Sequence, residues 1–347
     1  MKKSSIAAKR LDRRSFLGLG VAAVATSATL PGEGRGKREE GRGADAQERV
    51  PPAGDDALSL GGEAESAKTA AEAPVGAEPL KKEPVKIRFL GTGAYDWRLG
   101  KNEFGELRRY SSILIDDRIL VDFTPGNFEM LPEGVKPDVI FYTHTHSDHY
   151  RPDAAMDLGV KRIYCHHSIA ERVRREFAAA ANGRPLPKVV PLEFGEGAVE
   201  CGVRLTPLAA NHSAGPKAAH ERCAFYMIES GKERIFYATD TCGIPRDALK
   251  YAGLGRFPKH PLTAIIMEAT AGMGHEDDPR FFFSHSSVGL VARTVRALSV
   301  TGRYVPPKDR PVYITHMIRA QYAAQADLDK TLPAPLKAAY DGLEVSF

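Results

Sequence analysis

The chain is short of several things, and each shortage narrows what it can be. Only four cysteines occur in 347 residues, Cys165, Cys201, Cys223 and Cys242, and no two form a Cys-x-x-Cys pair. That excludes a zinc ribbon or a dithiol redox motif. Buried thiols are the default for cysteines so scattered; an exported chain would permit a disulfide, and three pairings of four would then be open. Charge of one sign is also missing: the net value is +4, with basic residues dispersed among acids, so no concentrated stripe marks a nucleic-acid partner. Long apolar runs are absent where a membrane span would need one. The uncharged run Ser15 to Pro31 has 17 residues, is rich in Gly and Ala, and is closed by proline, which argues against a spanning helix. Aromatic residues are missing altogether between Phe16 and Phe89, so that stretch cannot build a packed core.

What is present begins with a signal. Lys2, Lys3, Lys9 and Arg10 precede Arg13-Arg14-Ser15-Phe16-Leu17, and the small-residue run follows. This order resembles a twin-arginine export signal, which implies the twin-arginine export machinery as a partner, cleavage near Ala25 or Ala28, and a periplasmic or other extracytoplasmic location. Residues 31 to 84, mostly Gly, Ala, Glu, Pro, Lys and Arg, read as a disordered linker because too little apolar surface is on offer to offset the entropy of ordering.

The folded domain is expected over residues 85–347. With the whole chain 43% hydrophobic and 27% charged, a large core is available. Strand patterns occur at Val85 to Leu90, in a hairpin from Ser111 to Phe123 turning at Asp116-Asp117, and at Val139 to Tyr142, Arg162 to Cys165, Val203 to Leu208, Ala224 to Ile228, Arg234 to Ala238, Leu262 to Met267 and Val312 to Thr315. Helical spacing appears from Ser168 to Ala181, with Ile169, Val173 and Phe177 four apart, and from Ser286 to Leu298. Early hairpins followed by alternating strands and helices predict an α/β layered domain.

The densest chemistry is T-H-T-H-S-D-H-Y at 143 to 150, directly after the apolar run ending at Tyr142. His144 and His146 alternate, and Asp148 and His149 can turn back to meet them. Burying four such groups unpaired would cost several kcal/mol, so a metal site is the expectation. Imidazole and carboxylate suit zinc, and also manganese or iron of similar size.

The H-x-H-x-D-H pattern resembles that of the metallo-β-lactamase superfamily, and further acids and histidines follow in order at the ends of apolar runs. Asp122 closes I-L-V-D, His212 closes L-T-P-L-A-A-N-H, Asp240 closes I-F-Y-A-T-D, and His316 closes V-Y-I-T-H. The resemblance spans about residues 86 to 320. It implies a four-layer αβ/βα sandwich and two divalent metal ions: His144, His146 and His212 on one, Asp148, His149 and His316 on the other, and Asp240 bridging. It gives Asp122 the part of an acid that orients a ligand.

Within the superfamily, I-I-M-E-A-T at 265 to 270 and F-F-F-S-H-S-S at 281 to 287 are similar to the Glu-Ala-Thr and His-Ser pair of the phosphodiesterase branch, which includes tRNA 3′-processing endoribonucleases and cyclic-phosphate phosphodiesterases. The candidate catalytic residues are then Asp148, His285, which would protonate the leaving oxygen, and Glu268, which would orient it. His212 and Asp240 are only 28 positions apart, leaving no room for a tRNA-gripping arm. L-T-P-L-A-A-N-H-S, A-T-D-T-C-G-I-P and I-T-H-M look most like phosphoribosyl cyclic-phosphate phosphodiesterases, without their cysteine-rich zinc loop. Residues 94 to 110 have no cysteine, and Trp97, Arg108 and Arg109 there are further candidates for contacting sugar or phosphate. The expected function is hydrolysis of small phosphodiesters by hydroxide generated at two metals. A lactone or β-lactam hydrolase and a non-catalytic metal-binding protein are the competing readings, and the oligomeric state is left open.

Overall fold

The structure is a computed structural model and describes residues 79–82, 84–281 and 283–347. The expected export signal, and all of the expected linker before residue 79, lie outside the described residues. Lys81 already hydrogen-bonds the domain, its amide donating to the Gly202 carbonyl at 2.9 Å.

The first half of the domain builds one sheet. Its strands are β1 (Lys86–Gly91), β2 (Ser112–Ile115), β3 (Ile119–Val121) and β4 (Val139–Phe141); helix α1 (Pro152–Leu158) leads to β5 (Arg162–His166), and α2 (His167–Ala180) to β6 (Lys188–Leu192). The β2–β3 turn is at Asp116 and Asp117, both left-handed at φ 48° and 58°, as a tight hairpin requires. The second half builds the other sheet from β7 (Ala198–Glu200), β8 (Val203–Ala209), β9 (Ala224–Ser230), β10 (Glu233–Ala238), β11 (Ala264–Glu268), β12 (Val312–Thr315) and β13 (Leu336–Ala338). Helices α3 (Arg246–Tyr251), α4 (Val288–Val300) and α5 (Gln325–Thr331) connect its later strands, and the last strand, β14 (Glu344–Ser346), crosses back to pair with β1. Each sheet has seven strands, ordered β14-β1-β2-β3-β4-β5-β6 and β13-β12-β11-β10-β9-β8-β7.

Period-two alternation sorts the side chains. Ile113, Ile115, Phe141 and Tyr164 face the other sheet and meet Leu205, Tyr226, Ile235 and Ile266. Leu114, Ile140 and Ile163 point the other way, onto Ile169, Val173 and Phe177 of α2. The outer face of the second sheet packs Phe236, Ile265 and Ile314 against Val291, Val295 and Leu298 of α4. The result is the expected αβ/βα sandwich. Among the described residues no helix is long and apolar enough to cross a membrane, and no disulfide joins the four cysteines, of which Cys165 and Cys223 are buried.

The sheets are stiff platforms for a site at one edge. β3 through β6 are parallel, as are β10 through β13, and loops leaving the carboxyl ends of parallel strands gather on one side. At that edge Met317 closes the two sheets together, its amide donating to Thr92 O at 2.9 Å and its carbonyl accepting from Ala94 N at 3.1 Å. Gly91 is required there, since a Cβ would fall 2.0 Å from the Tyr110 carbonyl oxygen.

His166 ends β5 and caps α2. Its Nδ1 accepts from the Ser168 amide at 3.3 Å, which only a neutral imidazole can do. Burial, helped by His167 and Arg222, pushes its pKa down to about 4. The unfolded chain therefore binds a proton near the ordinary value of about 6.5 that the folded chain refuses until about 4. This contribution to stability is complete above about pH 6.5 and is lost as pH falls to about 4. Urea midpoints measured across that window should fall less steeply for His166→Asn, which keeps a capping acceptor, than for the wild type. Equal slopes would remove His166 as the source.

Candidate metal centre

Seven side chains from four loops converge at the sheet edge, four of them from the loop after β4. His144, His146, His212 and Asp240 place one donor atom each within 4.8 Å of one another, as do Asp148, His149 and His316. Asp240 touches both groups: its Oδ2 is 3.4 Å from His144 Nε2, 3.4 Å from His149 Nε2 and 3.6 Å from His212 Nε2, while its Oδ1 is 3.1 Å from His316 Nε2. Asp148 Oδ2 lies 3.6 Å from both His149 Nε2 and His316 Nε2.

The loops reach this edge because the chain leaves its strands abruptly. Asp122, Asp240 and His316, following β3, β10 and β12, are all left-handed, with φ of 57°, 47° and 53°. Such backbone is uncommon outside glycine, though Asp and His adopt it more readily than most residues, and it concentrates at functional sites.

Four of the five histidines have their tautomer set from behind. His149 Nδ1 donates to Asp122 Oδ2 at 2.7 Å. The Thr143 hydroxyl donates to the same oxygen at 2.7 Å and therefore accepts from His144 Nδ1 at 2.9 Å. His212 Nδ1 donates to the Ser284 carbonyl at 3.0 Å. Thr270 repeats the relay: its hydroxyl donates to Glu268 Oε2 and accepts from His316 Nδ1 at 2.8 Å. All four rings thus present a bare Nε2 lone pair to the cluster. His146 enters the other way round, its Nδ1 standing 2.9 Å from His144 Nε2 and 3.2 Å from His212 Nε2.

This donor set fits divalent ions. Three nitrogens facing one another at hydrogen-bond distance can share at most one proton, whereas one cation satisfies all of them. Donors about 2.0–2.1 Å from a zinc ion stand roughly 3.3–3.4 Å apart at tetrahedral corners, close to the spacings here. Charge agrees. Burial and the neighbouring rings push His144 well below its usual pKa, and burial takes His212 down to about 4. Burial works against ionising Asp240, but the rings of His149 and His316 hold it well below the carboxylate range. Against its own burial, His149 is held well above its usual value by Asp240, Asp148 and Asp122. Three carboxylates around one ring call for positive charge.

Glu268 and His285 arrive where the sequence expects them. Glu268 ends β11, is fully buried, and accepts from the Thr241 amide at 2.7 Å and from His285 Nδ1 at 3.2 Å. His285 comes within 4.8 Å of Asp240 and His316 and stacks on the His316 ring, with centroids 5.4 Å apart. Burial pulls its pKa down, but Glu268, Asp240 and Asp148 together lift it to about 9. In front of it opens a cavity of about 460 Å³ lined by Tyr95, Arg98, Tyr110, Ser213, Arg280 and Phe281 as well as site residues.

Three sequence candidates turn out to be structural. Trp97 is buried and donates to the Met317 carbonyl at 2.7 Å. Arg108 is buried, bonded to Thr92, Gln325 and the Ala339 carbonyl, and Arg109 pairs with Glu129. The sequence reading missed Thr143 and Thr270, although Thr270 stands inside the quoted I-I-M-E-A-T, and it missed Arg98 and Arg280.

Residues 117–301 match the family model described as a beta-lactamase superfamily domain. No curated protein matches the chain. Among solved structures it is similar to a diphosphatase from the PhnP family at 21% identity, covering 76% of this chain and 98% of that one, with TM-score 0.51. It is likewise similar to YhfI, a metallo-beta-lactamase fold protein from Bacillus subtilis, at 16% identity, 76% and 100% coverage, and TM-score 0.55. Zn(2+)-bound PqqB from Methylobacterium extorquens gives 16% identity, 76% and 100% coverage, and TM-score 0.52. At these identities the likeness establishes the fold.

Replacing Asp122 by asparagine keeps the volume but removes the charge that anchors His149 and, through Thr143, His144. Such outer hydrogen bonds are worth about 10- to 100-fold in metal affinity. Competition against a chromophoric chelator should show zinc bound that much more weakly by Asp122→Asn; unchanged affinity would contradict the orienting part given to Asp122.

Proposed function

The chain belongs to the beta-lactamase superfamily by its match over residues 117–301, and from that premise we propose that it is a dinuclear metal-dependent phosphodiesterase acting on small, cyclic or nucleotide-like phosphodiesters. The superfamily scaffold leaves the reaction undecided. The observation that carries the choice is Glu268, fully buried behind the donor cluster and bonded to His285, which itself faces the cavity. Hydrolysis of a lactam or lactone has little need of such a pair. A phosphodiester releases a poor leaving group, and a positioned proton donor is worth about a hundredfold or more.

In this reading His144, His146 and His212 hold one ion, Asp148, His149 and His316 hold a second, and Asp240 bridges. Zinc suits the donors best, and manganese or iron would be accepted. The ions would supply a nucleophile from water at neutral pH and offset charge on a phosphoryl oxygen. The chain's own residues do the rest. Asp148 lines the cavity and can orient a water by accepting its hydrogen bond. Glu268 fixes the His285 ring by binding Nδ1, so that Nε2 carries the proton delivered to the departing oxygen. Thr270, bonded to Glu268 and 3.2 Å from His285 Nδ1, contacts the same ring nitrogen. The similarity to a diphosphatase of the PhnP family supports a phosphoryl substrate. The reading also includes twin-arginine export; N-terminal sequencing of secreted protein should find a start after the Ala25 to Ala28 region, and an intact Met1 would remove the cleaved signal.

The test compares leaving groups. His285→Ala is expected to lower kcat about 100-fold on a ribose cyclic phosphate, whose alkoxide must be protonated, and far less on bis-p-nitrophenyl phosphate, whose phenolate leaves unaided. Equal losses on both would reject His285 as the acid. Efficient lactone turnover indifferent to His285→Ala would favour a carbonyl hydrolase, and two metals retained in a fully active Asp240→Ala would refute the bridge.

A further inference from the structure

We propose that the edge of the domain opposite the donor cluster is a docking face for an anionic lipid surface. Phe257 and Val300 enter the lipid interface there, and the exposed arginines and lysines around them meet the headgroups. This goes beyond the phosphodiesterase reading and does not depend on it.

The face is built where β11 and β12 begin, whereas the donor cluster gathers where β10, β11 and β12 end. Two segments are zipped together there. The Leu262 amide donates to the Arg303 carbonyl at 2.8 Å, the Val305 amide to the Leu262 carbonyl at 2.8 Å, and the Phe257 amide to the Thr301 carbonyl at 3.1 Å. Arg303 Nε adds a bond to the Leu254 carbonyl at 2.9 Å. On this frame Phe257 is 63% exposed, Val300 74% and Val305 55%. Val300 lies off the Val291, Val295 and Leu298 stripe that α4 packs on its sheet. Phe257 is left-handed at φ 52°, which is uncommon for a bulky residue, and its ring rests on Gly302, where a Cβ would fall 2.6 Å from Phe257 Cδ1. Backbone strain at a ring left mostly in water marks a functional feature rather than a packing one.

Charge selects the partner. Between Asp247 and Glu268, and again between Asp278 and Asp309, the chain has no acidic residue, and folding brings these two stretches together. Arg256 Cζ stands 5.3 Å from the Phe257 ring centroid, Lys259 and Lys308 are exposed beside it, and Arg296 is exposed one turn before Val300 on α4. Of the acids on the adjoining β9–β10 hairpin, Glu229 is paired with Arg234 at 3.0 Å and Glu233 with Arg310 at 2.5 Å. Three apolar side chains offer far less than the roughly 800 Å² per partner of a stable protein interface, and aliphatic groups offer no stacking platform to nucleic-acid bases. A phenyl and two valines ringed by cations suit an anionic bilayer surface, where apolar groups reach the acyl boundary and Lys and Arg stay with the headgroups. Leu80 lines a cavity at this edge with Lys259 and His260, so the chain enters the domain on the same side. Docking there leaves the donor cluster turned away from the lipid and open to dissolved substrate.

The full chain should bind vesicles containing about 30% phosphatidylglycerol roughly tenfold more tightly than vesicles of phosphatidylcholine alone, and high salt should erase the margin. Arg256→Gln combined with Lys259→Gln should remove most of that preference. Phe257→Asn suits a left-handed backbone, so it should weaken vesicle binding roughly tenfold without lowering the thermal midpoint; a lower midpoint with unchanged binding would make the ring structural and overturn the inference. Bromine-labelled lipid should quench the fluorescence added by Phe257→Trp but not that of wild type, whose one tryptophan, Trp97, is buried. Vesicle-bound protein in which the Phe257→Trp signal is unquenched would show that another segment binds, and would overturn the inference. So would RNA binding that the Arg256→Gln, Lys259→Gln variant loses, or a dimer that Phe257→Asn dissolves, in a protein that ignores vesicles. Hydrolysis of bis-p-nitrophenyl phosphate should be equal in all these variants, which keeps the result separate from the phosphodiesterase reading.

Discussion

Two buried carboxylates that stand behind the donor atoms, Asp122 and Glu268, decide what those atoms can do. A histidine ring has two nitrogens and no intrinsic reason to offer one rather than the other; the hydrogen bond made by the far nitrogen settles it. Asp122 settles it directly for His149 and through the Thr143 hydroxyl for His144. Glu268 settles it for His316 through Thr270. Neither acid can be solvated, since both are fully buried, so an unpaired partner would carry a large penalty. The relays are therefore stiff as well as specific. Burial lifts the Asp122 pKa, opposed by the His149 bond, and that balance makes the His149–Asp122 pair depend on positive charge in the cluster.

The relays in turn depend on how the strands end. A strand alternates its side chains strictly, so one continuing straight could not send both a core residue and a ligand to the same edge. The left-handed residues Asp122, Asp240 and His316 break that alternation within a single position. Asp122 can reach Thr143 and His149 because β3 and β4 are parallel neighbours in register, Val121 opposite Phe141. The same holds for β11 and β12, where Glu268 stands opposite Thr315. Parallel neighbours put their carboxyl ends side by side, and so the orienting acid of one strand meets the ligand of the next.

How much of this was legible follows from what the sequence encodes locally. Seven donors could be read because each sits just past an apolar run, and a polar, metal-binding side chain at that place stands out against Val, Ile and Phe. Most strands were legible by the same contrast. Strand β6 was not, since K-V-V-P-L contains Pro191 and reads as a non-strand; it is tolerated because β6 is an edge. Strands β7, β13 and β14, three residues each, are too short to show a period. Thr143 and Thr270 went unrecognised because a threonine between a strand and a histidine looks like any β-branched residue until its hydroxyl is seen with two partners. Arg108 and Arg280 show the converse. Both are arginines in loops without periodicity, and only tertiary contacts reveal that one is buried in the frame while the other is pinned at the cavity mouth.

Glu268 carries the last step of the argument, because it serves two rings with different tasks. One oxygen accepts from His285 and the Thr241 amide; the other accepts from the Thr270 amide and hydroxyl, the hydroxyl in turn holding His316. The orientation of a metal-facing histidine and that of a cavity-facing histidine are thus tied to one charge. A carboxylate bonded at both oxygens and cut off from water cannot rotate to favour one partner without releasing the other. The two rings, stacked with planes 16° apart, are held as a unit, so the donor cluster and His285 beside it keep a fixed spacing. A fixed spacing of this kind is what positioned proton transfer requires. It also explains why β11 ends in an acid where its parallel neighbours β10 and β12 end in Ala238 and Thr315: the position lies behind the donor atoms, yet central enough to orient both His285 and His316.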